Sequence, residues 1–229
     1  MRRCALAKSG LNIAGDRIGK YIMNPKYKVR LDRTLAVDFE MTCWNGEPPH
    51  GQFPEIIQIG IAEIDNGTMA VLRSETWFVR NEFSEVSPEC AELTGITQSM
   101  LRRRGLPLGE AGRIIAKKYG SRNKSWIAWG SDKAAIDRDC QVKRVEPFLS
   151  NAFFNVGLLY SMVAGESRSV GLAEAAERHG VVFGGRQHDA GADAEVLAGV
   201  WCVLSGTARA MSPAGCPGAA MADAPRGVL

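Results

Sequence analysis

Several things this chain has little or none of narrow its chemistry at once. Its six cysteines (4, 43, 90, 140, 202 and 216) form no CxxC or CxxxC pair, which argues against a zinc site or a disulfide framework and for reduced thiols. No signal of the secretory kind is expected from the N-terminal residues. No apolar run reaches the ~18 residues that a membrane span needs, so no membrane partner is expected. Only three histidines are present and aromatics make up 7% of the 229 residues. The net charge is just +3, which permits a nucleic-acid partner without demanding one. Together these shortages predict a cytoplasmic protein, with organelle targeting by the basic N-terminus as the open alternative.

What is present begins with a basic stretch. Residues 1–33 carry many Lys and Arg against two acids, Asp16 and Asp32, and read as a basic arm, a targeting presequence, or a segment ahead of a true start at Met23. Eight further basic side chains lie between Arg102 and Lys124 against one acid, Glu110. That run fits a solvated helix face as well as a surface that tracks phosphates.

From Thr34 the pattern tightens. "TLAVDFEMTCW", "PEIIQIGIAEID" and "MAVLRSETWFV" are β-rich runs, the last two joined by "DNGT", and they predict three antiparallel strands. "SPECAELTGIT" predicts a helix stopped at Gly95. "SWIAWG" and "AFFNV" predict two further strands, and "DKAAIDRDCQVKRV", "VGLAEAAERHG" and "DAGADAEVLAGVWCVL" predict helices. The fold class is therefore α/β, a mixed sheet of antiparallel then parallel strands flanked by helices. The expected organisation is an extension over 1–33, a domain over 34–205, and a disordered, small-residue tail over 206–229.

Within the first strand, the period of two puts Asp38 and Glu40 on one face and Val37, Phe39 and Met41 on the other. Two neighbouring carboxylates in a dehydrated place repel, and they must take up a proton or recruit a cation. A hard ion such as Mg²⁺ or Mn²⁺ suits them, although a lone D-x-E also occurs on solvent-facing strands. Asp132 stands between an apolar strand and the next helix, where it could reach the sheet end or serve as an N-cap. His188 and Asp193 are five residues apart, about 140° on a continuous helix. They converge only if His188 lies in the loop ahead of the helix and Asp193 in its first turns; Asp189 is an N-cap candidate.

In order, these residues resemble the DEDDh 3′→5′ exonucleases, the DnaQ-like branch of the ribonuclease H-like superfamily. "AVDFEMTCW" resembles the first motif, "WGSDKAAIDRDC" the second and "HDAGAD" the third. "FPEIIQIGIAEID", "SPECAELTGITQ", "FFNV" and "FGGRQHDA" are similar to the histone-mRNA 3′-end exonuclease and KapD-like group. The likeness covers Thr34 to Leu204. It departs in the second motif, where "WGSD" is one residue shorter than W-G-x-Y/F-D, and in the third, where Ala192 precedes Asp193.

The resemblance implies a ribonuclease H-like fold and a metal-dependent 3′→5′ exonuclease acting on single-stranded nucleic acid, RNA favoured over DNA. It implies two divalent ions, Mg²⁺ or Mn²⁺, held by Asp38, Glu40, Asp132 and Asp193, and His188 as general base. Phe39, Met41, Trp44, Leu93 and Thr94 become candidates for holding the terminal nucleotide, Trp44 by stacking. The alternative is a catalytically silent module binding nucleic-acid 3′ ends or a protein. The sequence leaves the oligomeric state open.

Overall fold

The computed structural model describes residues 28–210. Five strands form one sheet: β1 (Arg30–Met41), β2 (Ile56–Asp65), β3 (Ala70–Phe78), β4 (Lys124–Ala128) and β5 (Phe153–Asn155). Their order is β3-β2-β1-β4-β5. β1, β2 and β3 pair antiparallel, while β4 joins β1 and β5 joins β4 in parallel. The mixed sheet expected from the sequence is therefore present.

Seven α-helices and one short 3₁₀ helix (Ser121–Asn123) complete the described chain: α1 (Pro88–Thr94), α2 (Gln98–Arg104), α3 (Leu108–Tyr119), α4 (Asp132–Val142), α5 (Val156–Val163), α6 (Leu172–Arg178) and α7 (Ala190–Ala210). The sequence predicts α1, α4, α6 and α7. The helices α2, α3 and α5 are additions.

The two faces of β1 bury different things. Leu35, Val37 and Phe39 pack with Ile59 and Ile61 of β2 against Leu108, Ala111 and Ile115 of α3 and Ala135 and Ile136 of α4. The other face is built from small residues, Ala36 and Ala62, and meets Ala194, Leu197 and Ala198 of α7. Small side chains let that helix settle close to the sheet. Gly60 shows how close: a Cβ there would stand 1.8 Å from the carbonyl oxygen of Ala190. Gly191 is confined in the same way by the Thr76 hydroxyl, 2.1 Å from where its Cβ would be. A larger residue at Gly60 would lift the start of α7 off β2, and one at Gly191 would lift it off β3.

Both expected boundaries move. β1 begins at Arg30, inside the stretch assigned to the N-terminal extension, because Arg30 pairs in register with Lys124 and Arg33 reaches Glu63. At the other end α7 continues to Ala210, past the expected limit of 205, since "SGTARA" holds no proline to stop it. The rest of both termini, 1–27 and 211–229, lies outside the described residues.

The basic run from Arg102 to Lys124 is not one free patch. Arg104 lies over the Phe78 ring at 4.5 Å, Lys118 pairs with Glu75, Arg122 with Glu146, and the buried Lys124 with Glu63. Arg102, Arg103 and Lys117 remain exposed on α2 and α3.

Candidate nuclease active site

The acids meet at the C-terminal end of β1. Asp38 and Glu40 project from the face that α7 covers, opposite Gly60 and Gln58 of β2 in register. The bulge between Glu40 and Met41 ends the regular ladder there. Asp132 is the first residue of α4, and the helix's N-cap is Ser131, so Asp132 is not the cap. Its carboxylate faces the same cleft as the β1 acids, and the shortened "WGSD" motif still delivers it.

The third acid-bearing segment also closes as its spacing requires. His188 sits in an exposed turn ahead of α7, in the left-handed region at φ 62°. Asp193 lies in the first turn of α7, and its carboxylate accepts the His188 backbone N–H at 3.0 Å. One ligand atom from each of Glu40, His188 and Asp193 fits within a 4.8 Å span. Asp189 caps α7 by accepting the N–H groups of Gly191 and Ala192, both at 3.1 Å.

These groups line a single cleft of about 470 Å³, with Asp38, Phe39, Glu40, Asp132, His188 and Asp193 joined by Trp129, Gly130, Leu172, Phe183 and Gln187. Sequence reasoning missed the last five. The apolar pattern around Trp129 points to the core, and the ring does contact Tyr160 there at 5.5 Å between centroids, but it also forms part of the cleft wall.

Electrostatics mark the cleft. Burial, then the charges of Asp132, Glu40, Asp193 and Asp189, push Asp38 well above the usual carboxylate range. Burial followed by Asp193, Asp189 and Asp132 raises Glu40 to about 7. Burial raises Asp132 to about 6 against the pull of backbone hydrogen bonds, its own and those of Gly130 and Phe39. Asp193 is raised by burial, with the His188 N–H opposing. Among the described residues no Lys or Arg forms an ion pair with any of the four. An all-oxygen set of repelling carboxylates with an adjacent imidazole fits a hard divalent cation.

The other nucleotide-contact candidates are not brought into the cleft. Thr94 is 5% exposed and uses its hydroxyl inside α1, donating to the Cys90 carbonyl at 2.8 Å and accepting from Ile96 at 3.1 Å. Met41 packs against the core. Trp44 and Leu93 lie outside the cleft lining, although Leu93 is tied to the His188 segment, its carbonyl accepting from Arg186 at 3.0 Å.

The family model described as exonuclease, of RNase T type, matches residues 35–201. This chain belongs to the exonuclease family. Human ERI1 exoribonuclease 2 is 25% identical over 194 residues, covering 71% of this chain and 27% of the human protein. The 3′-5′ exonuclease Snipper of Drosophila melanogaster is 24% identical over 194 residues, covering 74% of this chain and 68% of Snipper. This chain thus spans about a quarter of the human protein's length.

Among solved structures, the nuclease domain of 3′hExo, a DEDDh family member bound to rAMP, superposes with a TM-score of 0.68 at 24% identity, covering 77% of this chain and 92% of that one. A full-length 3′-exonuclease gives a TM-score of 0.68 at 25% identity over 80% and 84%. The mixed sheet and its helices are the ribonuclease H-like fold of the DEDDh exonucleases.

Proposed function

We propose that this member of the exonuclease family is a metal-dependent 3′→5′ exonuclease that removes 5′-mononucleotides from the 3′ end of single-stranded nucleic acid, RNA in preference to DNA. The observation that carries the reading is the meeting of Asp38, Glu40, Asp132 and Asp193 in one cleft with no basic partner among the described residues and with His188 beside them. The preference for RNA is supported by the relatives, which include an exoribonuclease and a 3′-exonuclease recognising the 3′ end of a histone mRNA stem-loop.

Asp38, Glu40, Asp132 and Asp193 would hold two divalent ions, Mg²⁺ or Mn²⁺. When bound, such ions polarise the scissile phosphate and offset charge on the attacking and leaving oxygens. The chain's own residues supply the rest. Burial raises all four carboxyls, so their charged forms, the ones that would hold a cation, are favoured once a cation offsets their repulsion. His188, exposed on its turn, can take the proton of the attacking water and return it to solvent. Trp129 and Phe183 give the cleft an aromatic wall on which a terminal base can stack whatever its identity. Trp44 and Leu93, outside that wall, could contact nucleotides further along the strand.

Digestion of 5′-labelled single-stranded RNA and DNA of one sequence, with and without Mg²⁺ or Mn²⁺, tests the reading. The expected result is a ladder shortening from the 3′ end, dependent on the ion and reduced at least ~10³-fold by Asp38→Ala, with His188→Ala losing ~10²–10⁴-fold. Folded protein that makes no ladder with either ion would replace it with the silent end-binding module.

A further inference from the structure

Gln58 is the one uncharged polar side chain in the run "EIIQIGIAEI", it is 1% exposed, and it faces the acidic side of the sheet opposite Glu40 in register. Both ends of its amide are used. Its Nε2 donates to Asp189 Oδ2 at 3.0 Å, and its Oε1 accepts the backbone N–H of Ala190 at 3.0 Å. Only one orientation of the amide provides both bonds.

These two contacts fall at the junction between the His188 turn and α7. Asp189, held by Gln58 through one oxygen, caps α7 through the other. On one side of the junction His188 holds a left-handed backbone that costs a non-glycine residue energy. On the other, one turn into α7, Asp193 accepts the His188 N–H. Gly60, two residues along β2 on the same face, admits the Ala190 carbonyl against the strand. The junction is thus seated on β2 by a close approach and pinned by a single side chain.

We infer that Gln58 is a positioning residue, whose amide holds Asp189 and Ala190 so that His188 and Asp193 reach the β1 acids together. This rests on the nuclease reading above. Gln58 does not line the cleft. It acts by linking the third motif to the strand that pairs with the first, and its amide supplies an uncharged donor and acceptor at once. Glutamate keeps the acceptor but loses the donor, and it faces Asp189 as a second anion.

The test is a swap that conserves charge. Gln58→Glu and Asp189→Asn each break the pairing, the first by setting acceptor against acceptor and adding an anion, the second by setting donor against donor and removing one. The double variant restores every bond with the donor direction reversed, since the amide introduced at position 189 keeps an oxygen for the Gly191 and Ala192 N–H groups. Each single change should lower kcat by ~10–100-fold with KM within a few-fold, and the double should recover most of that loss. In the metal-free protein, amide exchange across residues 188–193 should speed up in each single variant and slow again in the double.

Single variants that keep wild-type kcat and exchange rates would overturn the inference. So would a folded double variant that stays as impaired as the singles, or single variants whose effects run in opposite directions, as added and removed charge alone would produce. Wild-type protein with no ion-dependent digestion would sink the nuclease reading instead, and the exchange measurement would still decide the role of Gln58.

Discussion

Two regions of this molecule bury acidic side chains, and they treat them in opposite ways. At the end of β2 far from the cleft, Glu63 is 1% exposed, and Lys124, Arg73 and Arg33 surround it. Burial pushes its carboxyl upward, but the hydrogen bonds from Lys124 and Arg73 overcome that and hold it below the usual range. Near the start of β2, Glu55 accepts three backbone N–H groups, from Glu82, Phe83 and Ser84, and pairs with the buried Lys143 at 2.7 Å. In the cleft the balance reverses: Asp38, Glu40 and Asp132 are raised, with no cationic side chain paired to them among the described residues. The sheet is able to supply partners for buried carboxylates and does so outside the cleft. Where it does not, the four carboxylates and the imidazole form a donor set that fits a cation from solution.

The comparison can be broken most severely at a paired acid. The Lys143 side chain is 1% exposed and stands between Glu55 and, at 3.8 Å, Asp139. Lys143→Ala leaves Glu55 buried without its cation and leaves Asp139 with Arg138 and the Ile56 N–H, and it should cost about 3–5 kcal/mol of stability in urea unfolding. Divalent ions should not restore it, because neither acid lies in the cleft. A loss under about 1 kcal/mol would mean that the backbone N–H groups alone suffice for Glu55 and that the contrast with the cleft is overstated.

The second way is to titrate the unpaired side. Glu40 is raised to about 7 from about 4.3 in an unfolded chain. Its neutral form is favoured by folding, so the stability it contributes is fully present below pH ~4.3 and is lost as pH rises through about 7. In metal-free protein Glu40→Gln should therefore gain on wild type by about 2 kcal/mol between pH 4.5 and pH 8. Saturating Mn²⁺ should reverse the order at pH 8, because the ion stabilises the protein that binds it more tightly. Thermal unfolding at the two pH values measures this, and an unchanged gap would show that folding does not raise Glu40.

The contrast between paired and unpaired acids was only partly legible in the sequence. Asp38 and Glu40 could be read as co-facial because a strand has period two. The turn before α7 was legible because His188 and Asp193 could converge in no other way. Gln58 and Gly60 were visible as residues, but their meaning depends on which strand partner they face and on the close approach of α7. The pairing of Lys143 with Glu55 joins α4's C-terminal end to the start of β2 and leaves no local pattern.

Helices were lost for a different reason. The exposed positions of α5 are Leu158, Leu159, Met162 and Val163 while Ser161 is buried, which inverts the amphipathic signal that marks a surface helix. Thr94 lies at the buried end of a helix, where its hydroxyl serves the backbone, a placement that "LTGIT" does not reveal locally.

The smallest expected effect comes from charges that are paired but not buried. On the surface, Arg168 holds Glu174 at 2.9 Å, and Arg178 holds both Glu174 and Glu166 at 2.6 Å. By geometry alone this cluster resembles the one around Glu63. Arg168 is 61% exposed, however, so water screens its attraction and ordering the side chain cancels much of the gain. Arg168→Ala should change stability by no more than about 0.5 kcal/mol, and salt near ~0.5 M should erase even that. A loss approaching that of Lys143→Ala would mean that the number of partners matters more than burial. The raised carboxylates of the cleft would then need an explanation other than desolvation.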